Sequence, residues 1–299
     1  MTTGRTVLQH AVSDSTRWDN FIHRPGDVYV CAPPKCGTTW VQTIVASLIF
    51  PDNDLPGPIM WFAPGLDDTF DPLDEILARL EAQEHRRMVK SHLPVDALPW
   101  FETGRYISVY RDGRDAFISW MNHVLSFRPD LLERLNAEAE AKGWAPLPEI
   151  EPDVHAMFAR WITLPMPLVM VRDWWERRHA SNVLLVHYND LKVDLDQEMR
   201  RISRFLDIPI NASTWADQVE RCTFDAMKAR ADEIGEFDRW FRGGGDSFLH
   251  RGVNGRWQTL LTPEELARYQ GVVENLLDDD VAAWLERGSL DLGWRPEEV

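Results

Sequence analysis

The segment Pro34-Lys35-Cys36-Gly37-Thr38-Thr39-Trp40 sets a lysine, a glycine and two threonines directly after a β-branched run. A strand that ends in a small-residue turn and reopens as a helix points its first backbone N–H groups at one spot, together with the positive end of the helix dipole. A phosphate binds well there. Lys35 adds a full charge, and Thr38 and Thr39 add hydroxyl donors. The order is not that of a Walker A loop, because the lysine precedes the glycine. Arg111 closes a second β-branched run, and Ser119 follows about two turns into the next helical pattern. A guanidinium fork and a hydroxyl so arranged suit a further phosphate. His92, in Val89-Lys90-Ser91-His92-Leu93-Pro94, follows a third run, where an imidazole suits proton removal near neutrality. Each segment alone also has a plainer reading: a threonine-capped helix, a surface Arg111–Asp115 pair, a turn histidine.

Together the segments resemble the motifs of the cytosolic-type sulfotransferases, which use 3′-phosphoadenosine 5′-phosphosulfate (PAPS). Pro34–Trp40 is similar to the P-K-S-G-T-T-W loop, with Cys36 for the commoner serine; the hydroxyl is lost and the backbone N–H kept. Tyr106–Ser119 resembles the segment that binds the 3′-phosphate, which implies that role for Arg111 and Ser119. Val89–Pro94 resembles K-T-H-x-P, whose histidine is the general base, which implies His92. Phe248-Leu-His-Arg-Gly-Val-Asn-Gly-Arg-Trp257 resembles F-x-R-K-G-x-x-G-D-W, a mobile loop that closes over the 3′-phosphate. Here His250 holds the first basic position, Arg251 and Gly252 keep theirs, and Arg256 stands where an acid is usual. Trp40, Tyr188 and Phe224 match positions that contact the adenosine, with Thr223 and Met227 in the same Cys222–Met227 segment. The resemblance covers about residues 18–270 and implies transfer of a sulfuryl group to the hydroxyl of a small acceptor. It implies adenosine 3′,5′-bisphosphate (PAP) as product, Lys35, Lys90 and His92 as catalytic residues, and no metal. A kinase-like P-loop phosphotransferase is the alternative enzyme, opposed by the order of the loop. A non-catalytic nucleotide-binding protein is the alternative of another class, opposed by Lys35 and His92.

The elements that must position these residues follow from the pattern. Short β-branched runs at 27–32, 86–90, 105–110 and 182–187 alternate with helical periodicity at 38–50, 114–125, 158–179, 191–206 and 263–287. This predicts an α/β fold: a P-loop-like domain with a central parallel sheet flanked by helices. No composition break marks a boundary, so one domain is expected over 1–299. Residues 62–72 and 237–257, the latter with Gly243-Gly244-Gly245, read as irregular loops.

Composition narrows the partners. With 48 acidic and 32 basic residues the net charge is −16, a poor match for nucleic acid or anionic membrane. Three cysteines, Cys31, Cys36 and Cys222, with no Cys/His cluster, support neither a disulfide framework nor zinc. The N-terminal residues lack a signal-type apolar core, and Val41–Phe50 is too short to span a bilayer, so a cytoplasmic setting is expected. By the same resemblance, Trp61, Phe62, Trp100, Phe127, Trp144 and Trp240 flank the acceptor cleft and favour an apolar, aromatic or lipid-like alcohol. The family's short dimer segment corresponds to Gln258–Ala267, where its charged ends and valine are missing, so no dimer of that kind is expected. His85, His123 and His187 carry no matching motif and read as structural.

Overall fold

The four β-branched runs become four parallel strands: β1 Val28–Cys31, β2 Met88–Ser91, β3 Arg105–Tyr110 and β4 Val183–His187. A computed structural model describes residues 4–294. The strands stand in the order β2-β1-β3-β4, with Val28 opposite both Met88 and Arg105 and Cys31 opposite both Ser91 and Ser108. β1 is thus paired along both edges, and all four of its residues are buried. A strand covered on both faces reads as one apolar run, not as an alternation.

Side chains alternate across the sheet and build a core on each face. Val28, Val30, Ile107, Val109 and Val186 point to one side, where they meet α1 (Thr38–Ile49) through Val41, Ile44 and Val45. Tyr29, Cys31, Val89, Tyr106 and Leu185 point to the other. There α3 (Gly113–Ser126) covers them with Phe117 and Ile118. The exposed flanks include α2 (Leu73–Glu81) and α4 (Pro129–Ala141), neither of which the periodicity predicts. In α4 only Leu131, Leu135 and Ala139 are buried, a stripe one residue wide that carries little signal.

Three expected long helices are each broken in two. The pattern at 158–179 is α5 (Val154–Trp161) and α6 (Met166–Trp175), separated where Pro165 and Pro167 remove backbone donors. The stretch Val154–Trp175 is apolar enough to cross a membrane by length and hydropathy, yet Phe158, Leu168, Met170 and Trp174 are wholly buried in the core. At 191–206, α7 (Tyr188–Val193) gives way to α8 (Leu195–Phe205), with Asp194 capping the second by accepting from Gln197 N–H. Further along come α9 (Phe224–Ala229) and α10 (Gly244–Phe248), the latter inside the expected 237–257 loop. The last pattern is α11 (Pro263–Leu276), opened by a Thr262–Glu265 capping box, and α12 (Asp279–Arg287).

Lys35 lies in the loop after β1, His92 directly follows β2, Arg111 follows β3 and Tyr188 follows β4. In an open parallel sheet the carboxyl ends of the strands open onto one crevice. The topology therefore delivers four residues, 153 positions apart in sequence at the extremes, to one place.

Candidate active site

Those carboxyl ends line a cleft of about 740 Å³. The loop from β1 to α1 turns on Lys35 at φ 68° and Gly37 at φ 117°. A Cβ on Gly37 would stand 3.1 Å from the Tyr188 ring and 3.3 Å from Val109, so only glycine fits without displacing them. Gly37 offers α1 no side-chain cap, and among the described residues the buried Thr38 hydroxyl has no hydrogen-bond partner. A twelve-residue helix that begins in a cleft with open N–H groups and an unpaired hydroxyl is prepared for an anion.

Lys35 reinforces this. Its ammonium lies 4.1 Å from the centre of the Phe248 ring and, among the described residues, makes no ion pair. Burial, then the charges of Arg111 and Lys90, pull its pKa down to about 7. A cation held among cations awaits a negative ligand. Cys36 faces inward and is wholly buried, and burial pushes its thiol up to about 12. The serine hydroxyl it replaces is therefore not missed on the cleft side.

At the end of β2, His92 Nδ1 lies 2.6 Å from the Ala32 carbonyl oxygen. A carbonyl only accepts, so Nδ1 carries the proton and donates it there; Nε2 keeps its lone pair. Burial foremost, then the charge of Lys90, lower the His92 pKa to about 4. Lys90, expected to act beside Lys35, is tied by a 2.7 Å ion pair to Asp68. Burial pushes the Asp68 carboxyl up, but Lys90, His92 and Arg17 together hold it below the ordinary value. Its neighbour Asp67 is pushed up, first by burial and then by Asp68, and accepts from the Trp18 indole N–H at 3.2 Å. No motif pointed to this acidic pair. Two adjacent aspartates in a loop give a sequence no sign that they face a lysine on a strand.

Arg111 donates to Asn254 Oδ1 (3.1 Å from Nε) and to the Val253 carbonyl (3.0 Å), with its guanidinium 4.3 Å from the Tyr188 ring centre. The 248–257 loop is thus docked on the end of β3. Asn254 also donates to Asn189, Gly255 N–H to Asp115, and Lys192 to the Gly252 carbonyl. Gly252 takes φ +63°, and a Cβ there would press within 2.8 Å of the Phe224 ring. Ser119, His250, Arg251 and Gly252 all line the cleft, and so does Arg256. Asn254 was missed because an amide in a glycine-bearing loop has no chemical signature of its own.

Trp40, Tyr188, Phe224 and Met227 line the neighbouring part of the cleft. Trp40 is held by its indole N–H on the Cys222 carbonyl at 2.7 Å and meets Tyr188 edge-on at 5.1 Å. Thr223 does not line the cleft. It caps α9, its hydroxyl accepting from Ala226 N–H and donating to the Glu220 carbonyl.

The remaining wall is mostly apolar, with Phe70, Leu132, Leu147, Ile150, Met157 and Trp240 among its residues and Glu149, Glu151 and Arg160 between them. Of the six aromatics expected here, only Phe127 and Trp240 line it. Phe62 packs on Phe50 and His85 in the core, Trp100 stacks on Tyr106 at 4.7 Å, Trp61 lies under Arg79, and Trp144 under Lys142. His187 is structural as expected, with Nε2 on the Leu285 carbonyl and Nδ1 accepting from Asn189 N–H. His123 is different: it stands in the cleft wall.

The model of the sulfotransferase domain matches residues 25–281. A glycolipid sulfotransferase of Mycobacterium bovis is 33% identical, with 96% of this chain and 95% of that protein covered. One of Mycobacterium tuberculosis is 34% identical with the same coverage. Cytosolic sulfotransferase 1 of Danio rerio is 27% identical over 75% of this chain and 74% of its own. Among solved structures, a mouse sulfotransferase complexed with PAP superposes with a TM-score of 0.66 at 21% identity, covering 89% of each chain. Retinol dehydratase in complex with androsterone and PAP gives 0.66 at 21% identity, with 93% of this chain and 88% of that one covered.

Proposed function

The chain belongs to the sulfotransferase family, and on that premise we propose that it moves a sulfuryl group from PAPS to a hydroxyl of an amphiphilic acceptor, one with a polar head and an apolar tail. The observation that carries the reading is the meeting of Lys35, His92 and Arg111 from three adjacent strand ends beside the uncapped start of α1. The unpaired Thr38 hydroxyl and the unneutralised Lys35 fit the 5′-phosphosulfate end of PAPS; Arg111, Ser119, Arg251 and Gly252 fit its 3′-phosphate. Trp40, Tyr188, Phe224 and Met227 fit the adenine by stacking and apolar contact. Arg256 adds positive charge to the same wall, His250, whose pKa is lowered by burial and then by Arg256, adds charge only when protonated, and the buried Cys36 offers only its backbone N–H.

Bound PAPS would supply an activated sulfuryl group and a phosphate leaving group. The chain's own task is positioning and charge. His92 Nε2 takes the proton of the acceptor hydroxyl, while its Nδ1–H, held on Ala32, fixes the ring and its tautomer. Lys35 meets the negative charge that grows on the leaving phosphate. Lys90, paired with Asp68, acts by holding the end of β2 in place. The apolar wall of Phe70, Leu132, Leu147, Ile150 and Met157 supports an acceptor with a hydrocarbon portion, and the mycobacterial relatives are named for glycolipids.

Calorimetric titration tests the cofactor assignment. PAP binds in the micromolar range or tighter, and AMP and ATP bind much more weakly, because neither carries a 3′-phosphate for Arg111. AMP binding as tight as PAP would overturn it. Arg111→Ala removes a charge-assisted contact worth about 1.5–3 kcal/mol and raises the PAP dissociation constant roughly 10- to 100-fold. The same variant changes AMP affinity little, which separates loss of the 3′ contact from general loosening of the loop on Asn254.

A further inference from the structure

We propose that His123 is a second histidine of the acceptor site, presenting an Nε2–H donor to an oxygen of the acceptor that neighbours the reacting hydroxyl. The proposal rests on the sulfotransferase reading above and deepens it, since it implies an acceptor head with at least two oxygens.

His123 lies on α3 four residues after Ser119, on the same face of the helix, and both line the cleft. Three phenyl rings hold it: Phe127 and Phe241 at 4.9 Å and Phe248 at 5.7 Å. Phe248 is also the ring beneath the Lys35 ammonium, so His123 is one side chain removed from the charged centre. Nδ1 is enclosed and, among the described residues, has no hydrogen-bond partner. The half-buried side chain lines the cleft, and with Nδ1 enclosed the nitrogen left to serve it is Nε2.

The chemistry follows from which nitrogen carries the proton. A neutral imidazole has one N–H and one lone pair. Enclosing an N–H among phenyl rings forfeits a full donor, so the proton belongs on Nε2, facing the cleft. The ring stays neutral: burial foremost, then the charges of Lys35 and Lys90, hold its pKa well below the usual histidine value. His92 has the opposite tautomer, with Nδ1–H on Ala32 and the lone pair at Nε2. One histidine therefore offers an acceptor to the cleft and the other a donor. A lone alcohol uses only the first; a vicinal diol or sugar head uses both. A purely structural side chain in this cage would do better as phenylalanine.

The test compares octyl β-glucoside with n-octanol, which share a tail. Wild-type protein favours the glucoside in kcat/KM by roughly tenfold or more, the worth of one well-placed hydrogen bond. His123→Phe fills the aromatic cage, keeps PAP affinity and melting temperature, and erases the preference. His123→Gln, whose amide N–H reaches a similar place, restores part of it. Absence of the preference in wild type, or its survival in His123→Phe, overturns the inference. Failure of wild type to transfer sulfuryl to either alcohol falls on the parent reading instead. Imidazole nitrogen shifts of the unliganded protein then decide the inference alone: Nε2–H at His123 supports it and Nδ1–H overturns it.

Discussion

His92→Ala lowers turnover by about 10²–10⁴-fold, the usual worth of a positioned base, and leaves PAP affinity nearly unchanged. The loss is one of chemistry because His92 faces the acceptor side through Nε2, while its other nitrogen is fixed on the Ala32 carbonyl. The pH dependence sharpens the point. A free histidine would titrate at 6.5, but this one is held down to about 4, chiefly by burial. Protonated imidazole cannot take a proton, so activity rises with pH through about 4. The same shift bears on stability. Between about 4 and 6.5 the unfolded chain binds the proton and the folded chain does not, so this contribution is fully present above 6.5 and is lost as pH falls through about 4. Stability, PAP affinity and turnover measured on one His92→Ala sample decide the matter. A folded variant with near-normal turnover, or a wild-type ascending limb near 6.5, would count against the role.

Lys35→Met costs turnover about 10²–10³-fold, the scale of removing one preorganised charge stabiliser, and weakens PAP binding as well. Both fall together because one ammonium serves the bound phosphate and the charge that develops on it. Its pKa of about 7 makes the free protein's affinity for an anion pH-dependent. Since kcat/KM for PAPS reports the free protein, it declines as pH rises through about 7, where the ammonium is lost. With the His92 limb near 4, the profile is a bell. The stability sign is opposite to that of a lysine in an ion pair. The folded pKa lies below the ordinary 10.5, so below about 7 the fold carries a buried charge that it would rather release. Lys35→Met therefore raises the unliganded melting temperature at pH about 6 while it abolishes most activity, a trade between stability and function. A variant that lost both stability and activity would mark Lys35 as structural.

Part of this site is legible in the sequence. The turn Pro34–Trp40, the residues that end β1, β3 and β4, and His92 next to β2 are written in local terms: β-branched runs, a glycine where φ must be positive, a helix start. Local chemistry determines local structure, and it singled out Lys35, His92 and Arg111; Tyr188 came from the family resemblance. Where periodicity conflicted with backbone chemistry the outcome was also local in cause. The helical pattern at 158–179 broke where Pro165 and Pro167 withhold N–H groups, and Thr223 went to a helix cap because its hydroxyl satisfies Ala226 at once.

What the sequence could not carry were the partners that only distant segments supply. A tryptophan is equally at home in a core, on a surface or in a cleft, and the neighbours that decide this lie far along the chain. Hence Trp100 stacks on Tyr106 and Trp61 lies under Arg79, away from the acceptor wall. Asp68 meets Lys90 across 22 residues, and Arg111 meets Asn254 across 143. His123 is in the cleft because α3 starts directly after β3 and the 241–248 segment packs on it. The sequence by itself determined the family, the phosphate-binding turn and the residues at the strand ends. The tertiary structure alone decided which charges are neutralised, which tautomers face the cleft and which apolar side chains form its wall. Each of those depends on contacts between segments that no local pattern encodes.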